Sequence, residues 1–148
     1  MHPYHGQRSL IEWCEARGIR VMGYSPLGSS ADRSPPEHGC TLLTHPAVVS
    51  AAQVAGKTPA QVLIRWGLQR LGGTNFISIP KSSNPDRIVQ NGQVLDWSLS
   101  DEAMASLDGL ECGFRYFISY LKRPDTDVLW HDHRLETGTE ADFVSSGG

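Results

Sequence analysis

Two short β-type runs, Ile19-Arg20-Val21-Met22-Gly23-Tyr24 and Phe76-Ile77-Ser78-Ile79-Pro80, constrain this chain more than any other feature. About fifty residues lie between them, and that stretch carries helical patterns rather than a tight turn. Strands separated by helices argue for parallel pairing, because a parallel pair needs a long crossover whereas an antiparallel pair can close through a short hairpin. The fold class is therefore α/β.

The helices announce themselves by their ends. Residues 7–17 place Leu10, Ile11 and Cys14 at helical spacing, and Gly18 stops them. Residues 25–45 are dense in Ser, Pro, Gly and Asp and read as a long loop, a feature usually tied to function or disorder. Thr44 is the expected cap of a helix running from His45 or Pro46 to Ala55, ended by Gly56. Thr58-Pro59-Ala60-Gln61 is a capping box with proline at the first helical position, and that helix runs to about Leu71. Asn84-Pro85 starts a further helix through Ile88 to Asn91, and Ser100 caps one over Asp101–Leu107. The order is helix, strand, long loop with helix, helix, strand, helix, helix. Trp66 and Trp97 read as packing residues.

Composition excludes several classes. A net charge of −3 argues against a general nucleic-acid binder. No run approaches the ~20 apolar residues of a membrane span. Cys14, Cys40 and Cys112 are odd in number and widely spaced, which suits reduced thiols in a cytoplasmic setting better than a disulfide framework. The first residues lack the basic and apolar stretches of a signal peptide. His131-Asp132-His133 and the pair His38 and Cys40 lack further ligands at useful spacing, so no metal site is expected.

Two segments can carry chemistry. In Ile79-Pro80-Lys81-Ser82-Ser83-Asn84-Pro85-Asp86-Arg87 a strand ends and a helix begins, and a helix start offers unpaired N–H groups and positive potential. Lys81 and Arg87 add two cations, and Ser82 and Ser83 add hydroxyls. Together they describe a phosphate site; the same residues also suit a capped surface helix with incidental charges. In Tyr24-Ser25-Pro26-Leu27-Gly28-Ser29-Ser30 a tyrosine at a strand's end can offer its ring face to a planar heterocycle. The following Ser and Gly residues can supply donors to a pyrophosphate, and an ordinary strand-to-loop turn is the alternative.

With these motifs the sequence resembles the aldo-keto reductases over about residues 1–110. The resemblance is carried by His2-Pro3-Tyr4, Gly18-Ile19, Tyr24-Ser25-Pro26-Leu27-Gly28, Gln61-Val62-Leu63-Ile64-Arg65-Trp66, Ile79-Pro80-Lys81-Ser82, Arg87-Ile88 and Asn91, in that order. It implies the C-terminal part of a (β/α)8 TIM barrel, incomplete here: the last two strands with their helices and the end of the preceding strand. It implies NADP(H) as cofactor, held without a dinucleotide-type glycine fingerprint, and none occurs. Tyr24 would stack on the nicotinamide, and Ser25, Leu27 and Ser29 would line the pyrophosphate. Lys81, Ser82 and Arg87 would hold the 2′-phosphate with help from Asn84. Asn91 would contact the adenine, as would Gln90, where many members carry Glu.

The resemblance also implies a small-molecule carbonyl substrate, no nucleic-acid partner and no membrane association. The family's acid–base residues fall N-terminal to any motif seen here, so no catalytic residue is assigned and the chain alone is expected to be inactive. Residues 111–148 read as a divergent C-terminal tail, with disorder expected in part. The alternative is a non-catalytic nucleotide-binding or protein-interaction module, with self-association through exposed sheet edges.

Overall fold

The computed structural model describes residues 1–29, 34–70 and 76–116. Among them are five α-helices and two strands: α1 (Arg8–Glu15), β1 (Val21–Tyr24), α2 (Pro46–Ala55), α3 (Pro59–Arg70), β2 (Phe76–Ile79), α4 (Pro85–Gly92) and α5 (Asp101–Asp108). A single 3-10 turn lies at Leu42–Thr44. The element order is the one expected from the sequence, and the strands pair in parallel. The chain divides into two compact units, one of residues 1–6 and 20–116, the other of residues 7–19 and 117–148.

In the smaller unit the described residues form α1 and its exit. Gln7 caps the helix in a left-handed conformation, and Gly18 closes it at φ 65°. The Arg17 guanidinium lies over the Trp13 ring, 4.1 Å from its centroid.

In the larger unit α3 is central. Its capping box forms as the sequence requires: Thr58 N–H donates to Gln61 Oε1 at 3.0 Å, and Gln61 N–H donates to Thr58 Oγ1 at 3.2 Å. Val62, Leu63, Ile64 and Trp66 are almost completely buried. α3 packs against α2, β2, α4 and α5. Trp66 Nε1 donates to Asp108 Oδ1 at 2.9 Å, which supplies the partner a buried indole N–H needs. Arg70 Nε also approaches that carboxylate, at 3.6 Å.

A second face of α3 carries Gln61, Arg65 and Gln69, four residues apart and so aligned along the helix. All three side chains grip backbone. Gln61 Nε2 donates to the carbonyls of Gln90 and Gln93 at 3.1 and 3.2 Å. Arg65 Nη1 donates to Val94 O at 3.1 Å. Gln69 donates to Leu99 O and accepts from Leu99 N–H, both at 2.9 Å, so it pairs with this segment as a strand would. The irregular stretch between α4 and α5 is thereby held without secondary structure of its own.

One cap differs from expectation. His45, not Thr44, caps α2: its Nδ1 accepts from Ala47 N–H at 3.2 Å, while Thr44 belongs to the 3-10 turn, its hydroxyl donating to Thr41 O at 3.2 Å. An imidazole with a free nitrogen lone pair does the work usually given to a hydroxyl or carboxylate.

The sheet has two unlike faces. Phe76 turns toward α3, with its ring between Gly23 of the neighbouring strand and Gly67 of the helix. A Cβ on Gly67 would stand 3.1 Å from the ring edge, and one on Gly23 would come closer still. Met22, Tyr24, Ile77 and Ile79 lie on the other face and are 45–64% exposed. Overfilling a packed core costs typically 1–3 kcal/mol. Gly23→Ala should therefore lower stability by about 1–3 kcal/mol, read as a reduced urea midpoint at unchanged slope, with a smaller effect for Gly67→Ala.

Candidate functional site

The strand register brings the two chemistry-bearing segments together. Tyr24 pairs with Ile79, so the Ser25–Ser29 turn and the Pro80–Asn84 turn leave the sheet at the same end. Neighbouring strands run about 4.8 Å apart, so the two turns start one strand spacing from each other. Carboxyl ends of parallel strands are where open α/β architectures place their ligands.

Tyr24 is 54% exposed, with its ring on the open face of the sheet. Ser25 follows at φ 49°, a left-handed conformation that a non-glycine residue seldom adopts and that costs of order 1–3 kcal/mol. Gly28 N–H closes the turn onto Ser25 O at 3.0 Å, and Gly28 itself has φ 84°. Pro26 is buried, while Ser25, Leu27, Gly28 and Ser29 are partly exposed. Ser30 lies outside the described residues.

On the other turn, Asn84 caps α4 as expected, its Oδ1 accepting from Arg87 N–H at 3.0 Å. That bond occupies one lone pair of the side-chain oxygen and leaves the amide N–H groups of Asn84 as donors for a ligand. Ser82 Oγ accepts from Asn84 N–H at 3.1 Å and braces the turn. Lys81 and Arg87 are both exposed and flank the helix start. Asp86 stands in the same first turn, so the local balance is two cations to one carboxylate. Gln90 is exposed and Asn91 partly so, at the far end of α4. No residue of α4 is buried; it is held by its end, where Gln61 takes the Gln90 carbonyl.

A cluster not anticipated from the sequence lies around Tyr4. Its ring stacks on His38 at 4.6 Å and 8°, and His45 meets both rings edge-on, at 6.0 Å from Tyr4 and 5.1 Å from His38. Tyr4 hydroxyl donates to Cys40 O at 3.0 Å, and His38 Nε2 lies 3.1 Å from Leu110 O. Tyr4 O accepts from Cys112 N–H at 3.3 Å and Phe114 N–H at 3.0 Å. Glu111 accepts from Gly6 N–H and approaches His5 Nδ1 at 3.9 Å. His38 is thus a structural ring that ties the long loop to the Leu110 carbonyl. The signal available was the grouping of four of the six histidines around one tyrosine, but it spans residues 2–45 and only the fold gathers it.

Burial sets the protonation of this cluster. It pushes the His2 imidazole down to about 3, with further lowering by the chain's N-terminal charge and His5. His45 is lowered as well, by burial and then by His38. Burial raises the Tyr4 hydroxyl, and it pushes Tyr116 up to about 12. Among the described residues no three His, Cys, Asp or Glu side chains are grouped to hold a metal ion, and no helix is long and apolar enough to cross a membrane. His131-Asp132-His133 lies outside the described residues.

A parallel α/β unit with two turns leaving one sheet end defines a class of architecture, and comparison with known proteins supplies the family. The aldo/keto reductase family model matches residues 1–111, and the chain belongs to that family. It is 49% identical over 119 residues to mouse aldo-keto reductase family 1 member A1, covering 79% of this chain and 35% of the mouse protein. To the human protein of that name it is 46% identical over 122 residues, covering 81% of this chain and 36% of the relative. To the Xenopus tropicalis protein it is 47% identical over 119 residues, covering 79% and 35%. The chain thus spans about a third of the length of these curated relatives.

The histidine cluster makes stability pH-dependent, with a definite sign. His2 and His45 are held neutral in the folded chain, whereas unfolded histidine protonates near its ordinary value of 6.5. Stability is full above that value and falls as the pH drops through it toward the lowered folded values. The urea midpoint should fall between about pH 7 and about pH 4. The fall should be shallower in the double variant His2→Phe, His45→Asn, which removes both titrations and keeps a capping side chain. An equal slope in the variant would assign the acid sensitivity elsewhere.

Proposed function

We propose that this chain is the NADP(H)-anchoring, C-terminal portion of a (β/α)8 aldo-keto reductase that reduces aldehydes or ketones to alcohols. The observation that supports it most is the Tyr24–Ile79 register, which brings the end of β1 beside the turn that leads into α4. Residues 1–110 would form the barrel portion and residues 111–148 the tail.

The donor set fits the cofactor. A dianionic 2′-phosphate suits two cations and a capped helix N-terminus: Lys81 and Arg87 would meet it, Arg87 in bidentate fashion, with Ser82 and the Asn84 amide completing the shell. Pairing two cations with one dianion favours NADP(H) over NAD(H). Ser25, Leu27 and Ser29 would line the pyrophosphate, and the exposed Tyr24 ring would stack on the nicotinamide. Gln90 and Asn91, on the exposed end of α4, would contact the adenine. When bound, the nicotinamide supplies the hydride that adds to the carbonyl carbon, and a proton reaching the oxygen completes the alcohol. The residues here bind and orient; the family's proton donor has no counterpart among the motifs of this sequence, so the chain by itself is expected not to reduce carbonyls.

A second reading rests on the open sheet face. Met22, Tyr24, Ile77 and Ile79 form an exposed apolar row that a protein-interaction module, or a second copy of the chain, could cover.

Fluorescence titration separates the readings. NADPH should bind more tightly than NADH, and Lys81→Ala with Arg87→Ala should abolish that preference. Each lost charge-assisted contact is worth about 1.5–3 kcal/mol, on the order of ten- to a hundredfold in affinity. Equal affinity for the two nucleotides, unchanged in the double variant, would sink the cofactor assignment. Concentration-dependent association without nucleotide binding would favour the interaction module.

A further inference from the structure

The tail segment reaches back beneath the Ser25–Ser29 turn. Tyr116, beyond the residues that the family model matches, is 2% exposed, and its ring lies directly against Gly28. A Cβ on Gly28 would stand 2.9 Å from the Tyr116 hydroxyl oxygen, 3.0 Å from Cζ and 3.2 Å from Cε2. Only a residue without a side chain lets the turn lie this close, and the positive φ of 84° asks for glycine independently.

Tyr116 is itself held from the far side. Its ring meets His2 at 4.9 Å and Phe114 at 5.1 Å, both edge-on. The chain leading to it is pinned where Cys112 and Phe114 N–H donate to Tyr4 O. This group of rings therefore ends at the hydroxyl edge of the buried Tyr116, and the strained Ser25–Gly28 turn rests on that edge.

We propose that Tyr116 is a positioning residue for this turn: it fixes the backbone of Ser25–Ser29 in the shape that receives the pyrophosphate and does not itself touch the cofactor. The inference rests on the NADP(H) reading of the same turn. It goes further by giving the tail a role in cofactor affinity. It also separates the two halves of the site, because Tyr116 lies against the pyrophosphate turn, whereas Lys81 and Arg87 flank the start of α4.

Two probes exploit that separation. NADPH engages both halves, whereas adenosine 2′-monophosphate, which keeps the 2′-phosphate and lacks the 5′-phosphate, engages only the α4 half. Tyr116→Ala should weaken NADPH about five- to tenfold, the equivalent of one mispositioned hydrogen bond, and leave the adenosine 2′-monophosphate affinity unchanged. Tyr116→Phe, which keeps the ring, should restore NADPH binding. Gly28→Ala pushes the turn off the ring from the exposed side. It should show the same split between probes, so the test holds even where Tyr116→Ala fails to fold. Arg87→Ala should weaken both probes.

Equal weakening of both probes by Tyr116→Ala and by Gly28→Ala would mark a merely structural residue and overturn the inference. So would unaltered NADPH binding in both variants. A wild-type chain that binds NADPH no better than adenosine 2′-monophosphate would overturn it as well, while leaving the phosphate anchors standing. A wild-type chain that binds neither would bring down the nucleotide reading itself.

Discussion

The stripe of Gln61, Arg65 and Gln69 along α3 is the constraint on which the larger unit depends. These side chains do for residues 90–99 what a neighbouring strand would do: they satisfy carbonyls and an N–H that would otherwise be left partly buried and unpaired. An apolar residue at any of the three positions would pack, but it would leave those groups without partners. The stripe also explains how α4 can have no buried residue and still be placed. Its last turn is tied to α3, so its first turn, with Arg87, and the Lys81–Asn84 segment leading into it project from a fixed base.

The two turns are built on opposite principles. The α4 start is relaxed: proline at the first helical position, a side-chain cap and a braced serine all agree with local preference. The Ser25–Gly28 turn is strained, with a serine in the left-handed region and a buried ring under its glycine. A relaxed anchor suits a diffuse charge, which tolerates small displacements. A strained turn suits a ligand met by backbone groups, whose directions are fixed only if the backbone is.

Much of this was legible in the sequence, because local rules carried it. Thr58-Pro59-Ala60-Gln61, Asn84-Pro85 and Ser100 each mark a helix start by chemistry confined to a few residues, and each formed as read. The parallel strand pair followed from the helices between the runs. Relations between distant residues were not legible. Gln61 could be read as a capping partner; its second task, gripping a carbonyl 29 residues away, has no local signature. Thr44 had the right chemistry for a cap and lost the position to His45, because its hydroxyl turned to the 3-10 turn instead. The ring cluster at Tyr4 and the contact between Gly28 and Tyr116 join residues that are dozens of positions apart, and only the fold brings them together.

The left-handed backbone at Ser25 limits which sequences can occupy that position. Glycine, asparagine and aspartate tolerate such a φ, whereas a β-branched side chain does not. Threonine is thereby excluded although it carries the same hydroxyl. A position held in this backbone admits serine more readily than threonine, valine or isoleucine. In a saturation library the permitted set at residue 25 would be narrow, and chemically similar residues would fail there for reasons of shape.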